Sequence, residues 1–163
     1  MKIVLEAGMN SIKFEDFVNN IVILLEETFS NPQGYYLDRR SGGLMGTLEN
    51  ITATQASSSF KPGATTIAGH VDHTRFYLSN VVVQSLRGQE VGKLDWDQSW
   101  VLKTVTELEW NDLKQTLSKT CQTVLELVKA RETWDDESIT DAMVGLAHTA
   151  YHIGAIRQMI LMV

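Results

Sequence analysis

Cysteine and proline are both scarce in this chain of 163 residues. The single cysteine, Cys121, excludes a disulfide within the chain, and we expect a reducing compartment, the cytoplasm. Only two prolines interrupt the backbone, Pro32 and Pro62, and both lie outside the stretches with regular apolar spacing. The scarcity of proline therefore leaves room for long helices.

Long apolar runs and runs of basic residues are also missing. No stretch reaches the ~20 uninterrupted apolar residues of a membrane-spanning helix. MKIVLEAGMNSIKFEDF lacks the apolar centre of a signal peptide. The formal net charge is −6, so binding to nucleic acid or to an anionic membrane is not expected. The length and composition predict one globular domain over residues 1–163.

Four long stretches carry apolar residues three and four positions apart, which is the spacing of an amphipathic helix. They are residues 11–29, which end at Asn31-Pro32, about 65–86, 110–132, and about 139–163. No segment alternates long enough to predict a strand. The pattern predicts an all-α protein, a four-helix bundle with long connecting loops. A short helix is also expected over TLENITATQA, residues 47–56.

All four histidines lie in two of these predicted helices. His148 and His152, in HTAYH, are four residues apart. They therefore lie one turn apart on the same helical face, where both can reach one metal ion. A third ligand must come from another helix, and the second helix offers His70 and His73. An H-x-x-x-H pair alone is a weak signal, because a buried histidine is often only hydrogen-bonded.

The apolar face of the second helix favours His70 over His73. At about 100° per residue, one arc of about 80° collects five residues. They are Ile67, Val71, Thr74, Leu78 and Val81. His70 falls about 20° outside this arc and His73 about 80° outside it, so we expect His70 to face the interior and His73 a flank or solvent. The predicted metal ligands are His70, His148 and His152, with His73 as the alternative. Such a site suits Zn²⁺, Ni²⁺ or Fe²⁺.

The stretches that carry the histidines resemble the DinB superfamily, the damage-inducible-like proteins of bacteria. TTIAGHVDHTRFYLSNVV is followed near the C-terminus by LAHTAYHIGAIRQMI. The resemblance implies a four-helix bundle that holds a divalent metal on three histidines, which match His70, His148 and His152. Distantly related iron-dependent sulfoxide synthases have an H-x-x-H-T-like stretch, and some use the later position, which is His73 here. Characterised family members are mainly thiol transferases and isomerases that use a low-molecular-weight thiol.

Two functions from different classes follow. The first is a metal-dependent enzyme, such as a low-molecular-weight thiol transferase or hydrolase, in which the metal activates water or a small thiol cosubstrate. The alternative is a non-catalytic dimeric helical bundle that binds a metal or a ligand. The sequence does not identify any carboxylate as a general base. A homodimer is expected because the first and fourth helices carry little charge on several faces, and Met162 and Val163 have no obvious partner within the chain.

Some further residues could contribute to a site. Asp141 lies on the face of the H-x-x-x-H pair and could orient an imidazole, although an acid in a first helical turn also suits the helix dipole. Trp96 and Trp100 could cover a pocket at the end of the bundle, or could cap the core from outside. Cys121 shares the apolar spacing of its helix, so a core position is expected. Gly154 is expected to permit close helix packing.

Overall fold

A computed structural model of the protein describes residues 13–163, and all of the regular structure in this range is helical. The helices are α1 (Phe14–Phe29), α2 (Gly43–Leu48), α3 (Ala53–Ala56), α4 (Ile67–Tyr77), α5 (Val83–Leu86), α6 (Glu107–Ala130) and α7 (Asp136–Ile160). A π-helical turn, Leu78–Val82, joins α4 to α5, and a 3-10 turn, Gln98–Trp100, lies in the loop before α6. The all-α prediction is confirmed. Within residues 13–163, no helix combines the length and the apolar character that crossing a membrane requires.

The long helical segments occupy the four stretches with helical apolar spacing. Helix α1 begins at Phe14, and residues 11 and 12 of its predicted range lie outside the described residues. Helix α6 begins at Glu107 rather than at Trp110, because Thr106 and Glu109 form a capping box. Each side chain of the box accepts a hydrogen bond from the other residue's backbone N–H. Two donors that the first turn leaves unpaired are thereby satisfied.

The long helices surround one apolar core. The indole of Trp110 is fully buried and donates a hydrogen bond of 2.6 Å to the carbonyl of Ile51, which ties α6 to the segment before α3. Leu117, Cys121 and Val124 follow on the same face of α6 and are also buried. The predicted core position of Cys121 is confirmed. Burial raises the pKa of its thiol to about 12, so Cys121 is protonated at neutral pH.

The predicted short helix over residues 47–56 is wrong in extent. Two short helices, α2 and α3, replace it, and α2 begins earlier because Gly43 packs directly against the end of α1. Gly43 has a φ of +62°, and a Cβ atom there would lie 2.8 Å from the carbonyl oxygens of Glu27 and Thr28. Thr52 and Gln55 form a capping box that starts α3 anew. The close approach and the second cap depend on contacts that apolar spacing does not encode.

A buried carboxylate organises the loop between α1 and α2. The side chain of Glu27 is fully buried and accepts four backbone N–H groups, those of Gln33, Tyr35, Tyr36 and Leu37, at 2.7–3.1 Å. Burial by itself raises the pKa of Glu27, but the four hydrogen bonds outweigh burial and lower the pKa to about 2. The backbone of the loop therefore packs around the negatively charged carboxylate of Glu27 on α1.

Helix α7 closely approaches the π-helical turn at Gly145. A Cβ atom at this position would lie 2.9 Å from a methyl carbon of Val82, which is fully buried. Gly154 is different, because it is exposed and a Cβ atom there would meet no described atom of the chain within 4 Å. The expectation that Gly154 permits close packing is wrong, and Gly145 has this role. This contact lies one turn before His148 and helps to set the position of the histidines of α7.

Candidate metal centre

Three histidine rings meet where α4 packs against α7. Nε2 of His73 lies 3.1 Å from Nε2 of His148, which in turn lies 3.2 Å from Nε2 of His152. The three ligand atoms all lie within 4.8 Å of one another. Zinc binds imidazole nitrogen at about 2.0–2.1 Å, so two ligands of a tetrahedral ion lie about 3.3 Å apart. The spacing of these nitrogens therefore suits a single ion of this size with small adjustments.

His73, not His70, contributes the third nitrogen, and the expected exposure of His73 is wrong. His73 is only 7% exposed, because Trp100 stacks on its ring with centroids 3.9 Å apart and planes 16° apart. The loop before α6 thus covers the flank of α4 on which the helical projection places His73. The projection identifies the face that packs on other helices, and it contains no information on a loop that covers another face. The histidines whose nitrogens converge thus include His73, which the sequence analysis gave as the alternative third ligand.

Ser99 orients the ring of His73. The hydroxyl of Ser99 donates to the carbonyl of Trp96 at 2.6 Å, so at 2.8 Å it accepts the Nδ1–H of His73. Nε2 of His73 then carries its lone pair towards the other two histidines, which is the form that binds a metal. Ser99 is 1% exposed. The sequence does not predict this role of Ser99, and its position between Trp96 and Trp100 is the only indication.

His70 contacts the cluster from outside. Its Nδ1 lies 2.9 Å from Nδ1 of His152, whereas His152 faces His148 with its other ring nitrogen, Nε2. The ring of His70 also stands edge-on to Trp100, with centroids 5.3 Å apart. His70 is half-buried. The structure thus brings His70 to the site without placing it among the three converging nitrogens.

His148 is held by stacking rather than by a hydrogen bond to its far nitrogen. Its ring lies on Tyr77 at 4.1 Å between centroids, and its buried Nδ1 has no hydrogen-bond partner among residues 13–163. Asp141, a candidate to orient an imidazole, forms no hydrogen bond with a histidine in the described part of the chain. Asp141 instead acts on Tyr77, whose pKa is raised by burial and then by the negative charge of Asp141.

The imidazoles are neutral at pH 7. Burial, and after it the charge of neighbouring histidines, lowers the pKa of His148 to about 4 and that of His152 to about 3. Burial also lowers the pKa of His70 and of His73, although Asp72 opposes this effect at His73. A metal ion binds neutral imidazole, so no ligand has to lose a positive charge first.

Aromatic rings cover the cluster. Trp100 contacts His73 directly, and Trp96 packs edge-on against Phe76 and at a tilt against Tyr77, with centroids 6.0 and 6.2 Å apart. Trp96 is 46% exposed. The loop that carries the two tryptophans therefore lies over the histidines. This agrees with the first of the two roles that the sequence suggested for it, covering a pocket. The covering lowers the polarity around the cluster and restricts its access to water.

No protein-family model, no curated protein and no solved structure significantly matches the chain. Membership of the DinB superfamily thus stays a prediction from the two histidine-containing stretches. The functional assignment depends on the geometry of the histidines themselves.

Proposed function

We propose that the protein is a metal-dependent enzyme of the DinB type, a four-helix bundle that binds a divalent ion through His73, His148 and His152. The convergence of three neutral ring nitrogens on one point is the observation that carries this proposal. Zn²⁺, Ni²⁺ and Fe²⁺ all accept such a ligand set. The proposed reaction class is transfer of a low-molecular-weight thiol to an electrophile, or a hydrolysis.

The ligand set supports a reactive metal over a structural one. Structural zinc sites usually fill the fourth position with a protein ligand, often cysteine. Within residues 13–163, the candidate cluster contains only the three histidines, and Cys121 lies in the core of α6. The fourth position is then available to a water or to the sulfur of a thiol. A bound divalent ion lowers the pKa of such a group and provides a nucleophile at neutral pH.

The chain's own residues would hold and shield this centre. Ser99 keeps the lone pair of His73 directed at the ion, and the stacking of Tyr77 fixes the plane of His148. Trp100 packs against His73 and limits the entry of bulk water. An electrostatic interaction is stronger in such a surrounding than in water, which favours activation of a group at the metal.

A non-catalytic metal- or ligand-binding bundle is the second candidate. The stacking of Trp100 on His73 and of Tyr77 on His148 favours it, because both contacts restrict the approach of a substrate to the cluster. The two functions share the metal site and differ in turnover.

Metal analysis tests the shared site. We expect the purified protein to take up about one divalent transition ion per chain. Substituting alanine for His73, His148 or His152 should abolish tight binding, whereas Gln158→Ala on the exposed side of α7 should leave binding unchanged. Binding of Zn²⁺ or Ni²⁺ by the His148→Ala and His152→Ala proteins as tightly as by the unaltered protein would show that the site is wrongly assigned.

Turnover assays separate the two candidates. The metal-loaded protein would be incubated with bacillithiol or mycothiol and a panel of electrophiles, and separately with ester and amide substrates. The enzyme proposal expects metal-dependent product that the His148→Ala protein does not form. Stoichiometric metal without product across the panels would favour the binding bundle.

A further inference from the structure

His70 lies beside the candidate metal centre and is within hydrogen-bond distance of His152. We infer that His70 is a positioning residue, whose Nδ1 accepts the Nδ1–H of His152 and so keeps Nε2 of His152 directed at the metal. The inference rests on the proposed metal-binding function and assigns a role to one more residue of the same site. It replaces the ligand role that the family pattern implies for His70.

The geometry of His152 supports this role. Its ring has only two nitrogens, and each has a neighbour: Nδ1 lies 2.9 Å from His70 Nδ1, and Nε2 lies 3.2 Å from His148 Nε2. If Nε2 binds a metal, the neutral ring must carry its proton on Nδ1. That N–H then has to donate, and the facing nitrogen of His70 has to accept. His152 is 2% exposed, so water has little access to replace the acceptor.

A ligand role for His70 would disrupt this arrangement. The nitrogen of His70 that faces the site is the one engaged by His152. Turning it towards the metal would leave a buried N–H of His152 without an acceptor, which is unfavourable. The edge contact of His70 with Trp100 also holds the ring in its present orientation.

The pair of His70 and His152 is matched by the pair of Ser99 and His73. In each pair, the ring nitrogen remote from the cluster contacts a residue of another element, α4 for His152 and the loop before α6 for His73. Partners of this kind fix the tautomer and orientation of a metal-binding histidine. Both acceptors are neutral here, so they raise the basicity of the ligands less than a carboxylate would and leave the metal a stronger Lewis acid.

Three substitutions distinguish a positioning role from ligation. His70→Gln retains a hydrogen-bond acceptor, His70→Phe keeps a ring against Trp100 but removes the acceptor, and His70→Ala removes both. We expect Zn²⁺ affinity to fall roughly 10- to 100-fold in the Phe and Ala proteins, the usual effect of losing an outer partner. His70→Gln should recover most of the loss. Far-UV circular dichroism confirms that each variant is folded.

Two spectroscopic measurements report on the hydrogen bond and the ligands. X-ray absorption of the Zn²⁺-loaded proteins should give the same number of imidazole ligands in the unaltered protein and in all three variants. Histidine ¹H–¹⁵N spectra should show a protected Nδ1 proton on His152 in the unaltered and Gln proteins. The same proton should exchange rapidly in the Phe and Ala proteins.

The outcomes separate this inference from the proposed function. A loss of one imidazole ligand in His70→Phe, with no recovery in His70→Gln, would show that His70 is a ligand and would overturn only the inference. Unchanged affinity and an unchanged His152 proton in His70→Phe would overturn it as well. If the unaltered protein binds none of Zn²⁺, Ni²⁺ and Fe²⁺, the proposed function fails and the inference fails with it.

Discussion

At the scale of single residues, the second nitrogen of each imidazole distinguishes the histidines of the site. His73 has Ser99 as a partner and His152 has His70, whereas the buried Nδ1 of His148 has no partner in the described part of the chain. The three converging rings are therefore restrained to different degrees. Stacking on Tyr77 is the main restraint on His148, whereas hydrogen bonds also orient the other two rings.

The contact of Ser99 with His73 leads to a prediction on metal affinity. Ser99→Ala removes the acceptor for the Nδ1–H of His73, so the ring can rotate or adopt the other tautomer. We expect Zn²⁺ affinity to fall roughly 10- to 100-fold in a competition titration with a chelating dye. Ser118→Ala on α6, which makes no hydrogen bond with a histidine, is the matched control. Equal affinities for the two variants would contradict the role of Ser99.

At the scale of elements, the loop between α1 and α2 depends on one side chain. Glu27 accepts four backbone N–H groups of that loop. In Glu27→Gln the acceptor loses its charge and its amide group faces donors, so we expect the free energy of unfolding to fall by on the order of 3 kcal/mol. Glu26→Gln is the control, because its exposed ion pair with Lys129 contributes at most about 1 kcal/mol. Urea unfolding of both variants measures the difference.

The same carboxylate predicts part of the pH dependence of stability. The pKa of Glu27 is lowered from 4.5 to about 2 in the folded protein, so the folded state binds fewer protons than the unfolded state between these values. Its contribution to stability is complete above pH 4.5 and is lost as the pH falls through about 2. Urea unfolding over this range should show a flatter dependence in Glu27→Gln than in the unaltered protein. Parallel curves would contradict the assignment.

Two glycines of α7 form a natural comparison. A Cβ at Gly145 would lie 2.9 Å from a methyl carbon of Val82, so Gly145→Ala must shift either this buried side chain or α7, and we expect a loss of about 1–3 kcal/mol in unfolding free energy. Gly154→Ala meets no atom of residues 13–163 of its own chain, so it should gain about 0.5–1 kcal/mol within the chain from better helix propensity. Thermal unfolding of both proteins measures the signs. A stabilising Gly145→Ala would show that the contact has room for a methyl group.

At the scale of the whole molecule, we propose that the protein forms a homodimer through α7. An uncharged exposed stripe runs along this helix at spacings of three and four, the spacing of a helix–helix contact. Its members are Val144, Ala147, Tyr151, Gly154, Gln158 and Leu161. Met162 is 59% exposed and extends the apolar surface, whereas Val163 packs against the core and gives no support.

Light scattering at micromolar concentration tests the dimer. We expect a dimer mass for the unaltered protein, because an uncharged helical stripe of this length suits burial against a symmetry mate. Ala147→Glu should give a monomer, since it places a charge in the centre of the stripe. Gln122→Glu on the exposed side of α6 should remain dimeric. A monomer mass for the unaltered protein would argue against the proposal.

The sequence by itself determined those features that depend on neighbours along the chain. Apolar residues three and four positions apart placed the long helices, because that spacing is the period of the helix itself. The same period brought His148 and His152 to one face. The buried position of Cys121 followed in the same way. Each of these features requires only that the local segment be helical.

Only the tertiary structure decided which histidine completes the cluster. His73 became the third converging residue because Ser99 and Trp100, in a loop far along the chain, cover the flank of α4 that carries it. The clamp on Glu27 and the close approach at Gly145 have the same origin, since they join backbone or side-chain groups of separate segments. Helical spacing records which face of a helix is apolar. Which loop or helix covers each face depends on how the loops and helices pack together, and this cannot be predicted from the spacing.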